Sequence, residues 1–201
     1  MAILTANNQS LTEITALPSV ITTGSMVLLE TETASSSSTL DFTSGIDSTY
    51  DEYVFKFYNI HPETDAQNLT FQANVSGGSG YNETITSTFF YAYYDEADSG
   101  TTLGYATSMD QAQGTAFQRL LYEMSSDADH AAGGYLHLFN PSSTTFVKHF
   151  ISRFNNTDKD NYNIDNYCAG YFNTTSAIDE IQFKMSSGDI DAGTIKMYGV
   201  V

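Results

Sequence analysis

Side chains able to do chemistry are abundant in this chain, but few stand at a spacing that chemistry requires. Asp158, Asp160, Asn161, Asn163 and Asp165 crowd oxygen ligands into one polar stretch. That donor set suits a hard cation, and Ca2+ is the one cofactor the sequence leaves room for, at Asp158, Asp160, Asn163 and Asp165. The turn glycine and closing glutamate of a dedicated calcium loop are missing, and solvated loop carboxylates are the simpler reading. Asp127 and Asp129, beside His130, make a second acidic loop. His61, His130, His137 and His149 lie in four separate segments, without the paired spacing of a zinc site. His137 and His149 become neighbours only if their strands pair. A serine nucleophile needs a shaped elbow, whereas Gly77 to Gly80 reads as a flexible turn. A glycosidase needs two carboxylates roughly 5–10 Å apart across a cleft, and no pair is singled out. No catalytic residue is assigned, and the chain is expected not to be an enzyme. Tyr91, Tyr93, Tyr94 and Tyr105 flank a long polar stretch at 95–113. Exposed tyrosines stack on sugars or dock a protein; core burial is the alternative for each.

The charge balance narrows the partners. Among 201 residues, 24 acidic side chains face 7 Lys and Arg, for a net charge of −17. So acidic a surface repels phosphate backbones, which argues against nucleic acid. A single cysteine, Cys168, excludes an intrachain disulfide. No stretch is long and apolar enough to span a bilayer as a helix. The N-terminus carries no Lys or Arg ahead of a long apolar run, so no signal peptide is expected and synthesis in a cytoplasm is the default.

The elements that must position these residues read almost entirely as strands. Ile181, Phe183 and Met185 alternate with polar residues, as do Ile195 and Met197, predicting a pair of strands that ends the chain inside a sheet. Further strands are expected at 25–30, 39–43, 53–60, 69–75, 85–94, 134–140, 145–154 and 167–173. Residues 53–60 are apolar on both faces and belong in mid-sheet. Loops are expected at 33–38, 95–113 and 158–165. Residues 115–124 fit either a helix or a strand, and the β surroundings favour strand. Ten or eleven short strands between Gly/Ser/Asn/Asp loops predict an all-β fold, a β-sandwich of jelly-roll type, over residues 25–201. Residues 1–24 are expected to form an extended N-terminal arm. Its Leu11, Ile14, Leu17, Val20 and Ile21 are the candidate assembly contacts.

Several runs resemble a family of virion structural proteins of marine tailed phages, a module also found in tail-fibre C-terminal regions. They are Leu40-Asp-Phe-Thr-Ser-Gly-Ile-Asp-Ser-Thr-Tyr50, Glu52-Tyr-Val-Phe-Lys-Phe57 and Asn59-Ile-His-Pro62. Leu136-His-Leu-Phe-Asn-Pro-Ser-Ser143, Phe146-Val-Lys-His-Phe-Ile151, Ala169-Gly-Tyr-Phe-Asn-Thr-Thr-Ser176 and Gly193-Thr-Ile-Lys-Met-Tyr-Gly199 continue the resemblance. It implies a jelly-roll module exposed on virions and carries over no catalytic residue. The expected function is a non-enzymatic decoration or short appendage subunit. It would assemble through the arm and sheet edges into a symmetric homo-oligomer, a trimer, alongside other virion proteins. A receptor- or glycan-binding tip on a host surface, using the tyrosines, is the alternative; a glycan hydrolase is the third reading.

Overall fold

The computed structural model describes residues 25–201, all-β with no helix among them. The first of two sheets holds β1 (Met26–Ser37), β3 (Glu52–Pro62), β5 (Ile85–Asp95), β6 (Thr101–Tyr105), β7 (Ala112–Gly114), β9 (Ala132–Phe139), β10 (Lys148–Thr157), β11 (Tyr162–Phe172) and β13 (Ile190–Val200). The second holds β2 (Leu40–Phe42), β4 (Leu69–Val75), β8 (Gln118–Arg119) and β12 (Ile178–Met185). The nine-stranded sheet runs β1-β13-β3-β9-β10-β11-β5-β6, with β7 also on β5; the four-stranded sheet runs β2-β12-β4-β8. Every pairing is antiparallel. The chain crosses between sheets on entering and on leaving each of β2, β4, β8 and β12. The two sheets pack as a sandwich. The arm expected over residues 1–24, with Leu11, Ile14, Leu17, Val20 and Ile21, lies outside the described residues.

Phenylalanines from both sheets fill the space between them. The Phe183 ring meets Phe42 at 6.0 Å, Phe55 at 5.4 Å and Phe57 at 5.1 Å, all edge to face, and stacks on Phe71 at 6.2 Å. Phe71 in turn meets Phe150 at 5.0 Å and Phe172 at 5.8 Å. Edge-to-face pairs contribute about 0.5–1.5 kcal/mol each beyond burial, so this cluster holds the two sheets in register. Fully buried Tyr53 closes a corner: its hydroxyl donates to the Asp47 carbonyl at 2.9 Å and accepts from the Asp47 amide at 2.8 Å. Near the chain's end, Tyr50 lies flat against Gly199, where a Cβ would collide with its ring.

Four local expectations are corrected. Residues 33–38 are not a loop, because β1 continues to Ser37 along β13. Polar Ser and Thr suit an edge strand exposed on one side, and the backbone partner decides. The 95–113 stretch holds β6 and β7. Its first turn is tied by Asp95, which accepts from the Ser99 amide at 2.7 Å and from the Ser99 hydroxyl. Residues 158–165 are a loop only to Asn161; β11 begins at Tyr162. In 115–124 only Gln118–Arg119 is strand. Buried amides pin that segment instead. Gln72 Nε2 lies 3.2 Å and 3.1 Å from the carbonyls of Thr115 and Ala116, and Ser87 donates to Gln118 Oε1 at 2.6 Å. The C-terminal strands do alternate as expected, and β13 lies inside its sheet between β1 and β3. They do not pair with each other, because β12 belongs to the opposite sheet.

Candidate functional site

Period two sends the four candidate tyrosines to opposite sides of the nine-stranded sheet. Tyr94 and Tyr105 lie on the outer face, which the second sheet does not cover; Tyr91 and Tyr93 lie on the inner face. Each pair belongs to a different constellation.

On the outer face the register aligns two straight rows. One runs Leu28–Tyr198–Val54–His137–Ile151–Ala169–Thr88 across seven strands. The next runs Thr31–Lys196–Lys56–Tyr135–Arg153–Tyr167–Phe90–Tyr105 across eight. This face carries Leu28, Tyr58, Phe90, Tyr94, Leu103, Tyr105, Tyr135 and Ile151, eight of the ten large apolar side chains exposed among the described residues. Leu103 is 77 % exposed. Three of the seven Lys and Arg also stand in the second row. Lys56 lies 5.6 Å from the centre of the Tyr198 ring, Lys196 5.6 Å from Tyr58, and Arg153 5.0 Å from Tyr167. Phe90 stacks on Tyr167 at 4.7 Å. Arg153 grips Asp165 with two hydrogen bonds of 3.0 Å and 2.7 Å, and Tyr167 donates to Asp165 at 2.9 Å. The Arg153 bonds above all hold the Asp165 carboxyl below its ordinary pKa, burial opposing them. Lys56 and Lys196 are direct cross-strand neighbours and make no ion pair among the described residues. Like charges facing each other on a strand pair are unfavourable in isolation.

The inner constellation is a pocket of about 450 Å³ at the margin of the sandwich. Tyr91 stacks on Tyr122 at 5.4 Å and on Tyr93 at 6.2 Å, and Tyr93 meets Tyr162 at 4.9 Å. Ile164 adds an aliphatic patch, and Glu123, Asp158, Lys159 and Asp160 supply the polar lining. Two buried asparagines set one wall. Tyr122 donates its amide to Asn166 Oδ1 at 2.9 Å, and Asn156 Nδ2 donates to the Tyr122 carbonyl at 3.0 Å. The Glu123 backbone sits at a positive φ of 22°, a sparsely populated conformation for a residue with a Cβ. Burial first, then the Glu123 and Tyr91 charges, pushes the Tyr122 phenol up.

The expected calcium ligands do not converge. Asp158 Oδ1 caps the β10–β11 turn by accepting from the Asp160 and Tyr162 amides, each at 2.9 Å. Asp160 pairs with Lys159, Asn163 accepts from Asn155, and Asp165 holds Arg153. No group of three or more His, Cys, Asp or Glu is gathered for a metal ion among the described residues. His137 pairs with Glu52 and stands opposite Ile151, so His149 is its diagonal neighbour rather than its direct one. Cys168 is buried, and burial raises its thiol pKa. Two carboxyls are raised by burial first, Glu30 on β1 and Glu83 ahead of β5. Buried Lys148, near Glu83, donates to the Thr174 carbonyl at 3.1 Å, and burial lowers its pKa.

Reading the sequence missed Tyr122 and Tyr162 for the pocket, and Lys56, Lys196, Arg153, Tyr135 and Ile151 for the outer face. The one signal for the latter lay in strands whose second, solvent-side set of residues is aromatic or aliphatic rather than polar, as in Phe89-Phe90 and Phe150-Ile151. Set against protein-family models, curated proteins and solved structures, the chain matches none.

Proposed function

We propose that this protein is a non-enzymatic structural subunit of a phage particle, assembled as a homotrimeric ring through the outer face of its nine-stranded sheet. The observation that carries this reading is the coincidence, on that one face, of most exposed apolar side chains and three of seven cations of a chain with net charge −17. Contiguous exposed apolar surface of this kind marks an interaction site. Eight strands at ~4.8 Å spacing span roughly 35 Å, and four residue rows add about 20 Å, close to the ~800 Å² per partner of a specific interface.

Charge favours a ring over a two-fold pair. A two-fold contact would set Lys56 and Lys196 against the same face of the other copy. A head-to-tail contact brings a different surface instead, and such contacts close into a ring when the rotation between copies is a simple fraction of a turn, as in a trimer. An acidic surface is at hand where three connections meet. Asp189 donates its amide to Glu63 Oε2 at 3.3 Å, Ser126 to Asp65 Oδ1 at 3.2 Å, and His61 lies 3.6 Å from Asp191. The strand order supports the jelly-roll reading. The orders β1-β13-β3-β9 and β2-β12-β4-β8 are those of a roll whose chain winds between two sheets, with β12 set over β3 and β4 over β10 and β11. On this reading β10, β11, β5 and β6 widen one sheet of the roll. The resemblance to virion surface modules supports the placement on a particle.

The test is the solution mass of the full chain by light scattering, beside a Tyr135→Glu/Ile151→Glu double variant and a chain starting at Ser25. The expected result is a trimer for the full chain, a folded monomer for the double variant, and a trimer for the shortened chain. A double variant with unchanged mass defeats assembly through this face. A monomeric shortened chain would move the assembly role to residues 1–24.

A further inference from the structure

We infer that the pocket lined by Tyr91, Tyr93, Tyr122 and Tyr162 is a binding site for a neutral saccharide. This goes beyond the assembly reading and is independent of it, because the pocket lies on the opposite face of the sheet. The pocket's volume of about 450 Å³ admits one or two sugar rings. Its aromatic surface is continuous: successive ring centres stand 5.4, 6.2 and 4.9 Å apart from Tyr122 through Tyr91 and Tyr93 to Tyr162. Stacked or tilted phenols offer apolar area to the C–H face of a pyranose and hydroxyls to its edge. None of the four phenols hydrogen-bonds to another group among the described residues.

The rim selects the ligand's charge. Glu123, Asp158 and Asp160 outnumber Lys159 and oppose an anionic sugar. Asp158 is engaged in the β10–β11 turn and Asp160 with Lys159, which leaves the Glu123 carboxylate as the open acceptor. A carboxylate that accepts from vicinal hydroxyls, beside four phenols that donate or accept, suits an uncharged polyol. The site is also built in advance. Asn156 and Asn166, both 1 % exposed or less, fix the Tyr122–Glu123 wall. A wall held by buried hydrogen bonds loses little freedom on binding.

The experiment screens the full chain on an array of neutral, anionic and amino oligosaccharides. Hits are then titrated by tyrosine fluorescence, which no tryptophan obscures in this chain. The expected result is retention of neutral oligosaccharides. Tyr93→Ala should weaken binding by roughly five- to tenfold through the lost stacking face. Glu123→Gln should weaken it less while leaving the thermal midpoint unchanged, and Tyr94→Ala, on the outer face, should bind as the parent does. No neutral ligand on the array overturns the inference. So does a neutral ligand whose affinity is insensitive to Tyr93 and Glu123, or exclusive retention of anionic or amino sugars.

Discussion

The two faces of the nine-stranded sheet use the same aromatic vocabulary at alternate positions and do opposite work with it. Inward, Phe55, Phe57, Phe150 and Phe172 are buried and meet the second sheet ring against ring. Outward, Tyr58, Tyr167 and Tyr198 stand one residue out of phase and hold Lys196, Arg153 and Lys56 over their rings. The inner rings have no polar atom to satisfy, so burial costs them nothing in hydrogen bonds. The outer tyrosines accept a cation at the ring and carry a hydroxyl that needs water or a polar neighbour, as Tyr167 finds in Asp165, which suits the surface proposed for assembly. An aromatic residue in a strand therefore says little by itself; whether the second sheet covers its face decides whether it holds the fold or stands open to solvent.

The sharpest break of this contrast is Phe183→Ala. Phe183 touches rings from both sheets, and its loss is expected to cost about 3–5 kcal/mol, read as a fall of roughly 10 °C or more in the thermal midpoint. Gly170→Ala comes next. A Cβ there would stand 2.5 Å from the Thr86 carbonyl and 2.7 Å from the Phe150 ring, so about 1–3 kcal/mol is expected in chemical denaturation. The outer face should answer differently. Tyr135→Glu with Ile151→Glu is expected to change monomer stability by less than about 1 kcal/mol while abolishing assembly. A large loss of stability in that variant would erase the distinction between the faces.

Asp165→Asn is the smallest effect, expected below about 1 kcal/mol because the Arg153 pair is half in solvent. Its pH dependence gives the sign. The folded Asp165 carboxyl titrates below its unfolded counterpart. Its contribution is thus present above the unfolded value of about 3.9 and is lost as pH falls through the folded value. Denaturation curves of parent and variant should differ at pH 6 and converge near pH 2.

The class of fold was legible because alternation leaves a direct trace in the residues. β3, β4, β9, β10 and both C-terminal strands stand where period two, with one turn at Asn140-Pro141, placed them. Strands poor in apolar residues left no such trace. The Ser/Thr half of β1 and the short β6 and β7 are strands because a neighbour offers its backbone, which local composition does not record. The site was half legible. Residue type and closeness to a long loop single out Tyr91 and Tyr93, and carboxylate oxygens single out Asp158 and Asp160. The pocket joins them, although 65 residues of chain separate Tyr93 from Asp158.

By itself the sequence determined the periods, the acidic charge, the lone thiol and the all-β class, since each depends only on residue type and near spacing. The tertiary structure alone decided which sheet each strand joined. That choice sent β12 and β13 to opposite sheets, collected three cations in one row, and brought Tyr122 and Tyr162 beside Tyr91 and Tyr93. The physical reason is that a strand's side chains alternate by local geometry, whereas its neighbours are chosen by burial and hydrogen bonding summed over the whole chain.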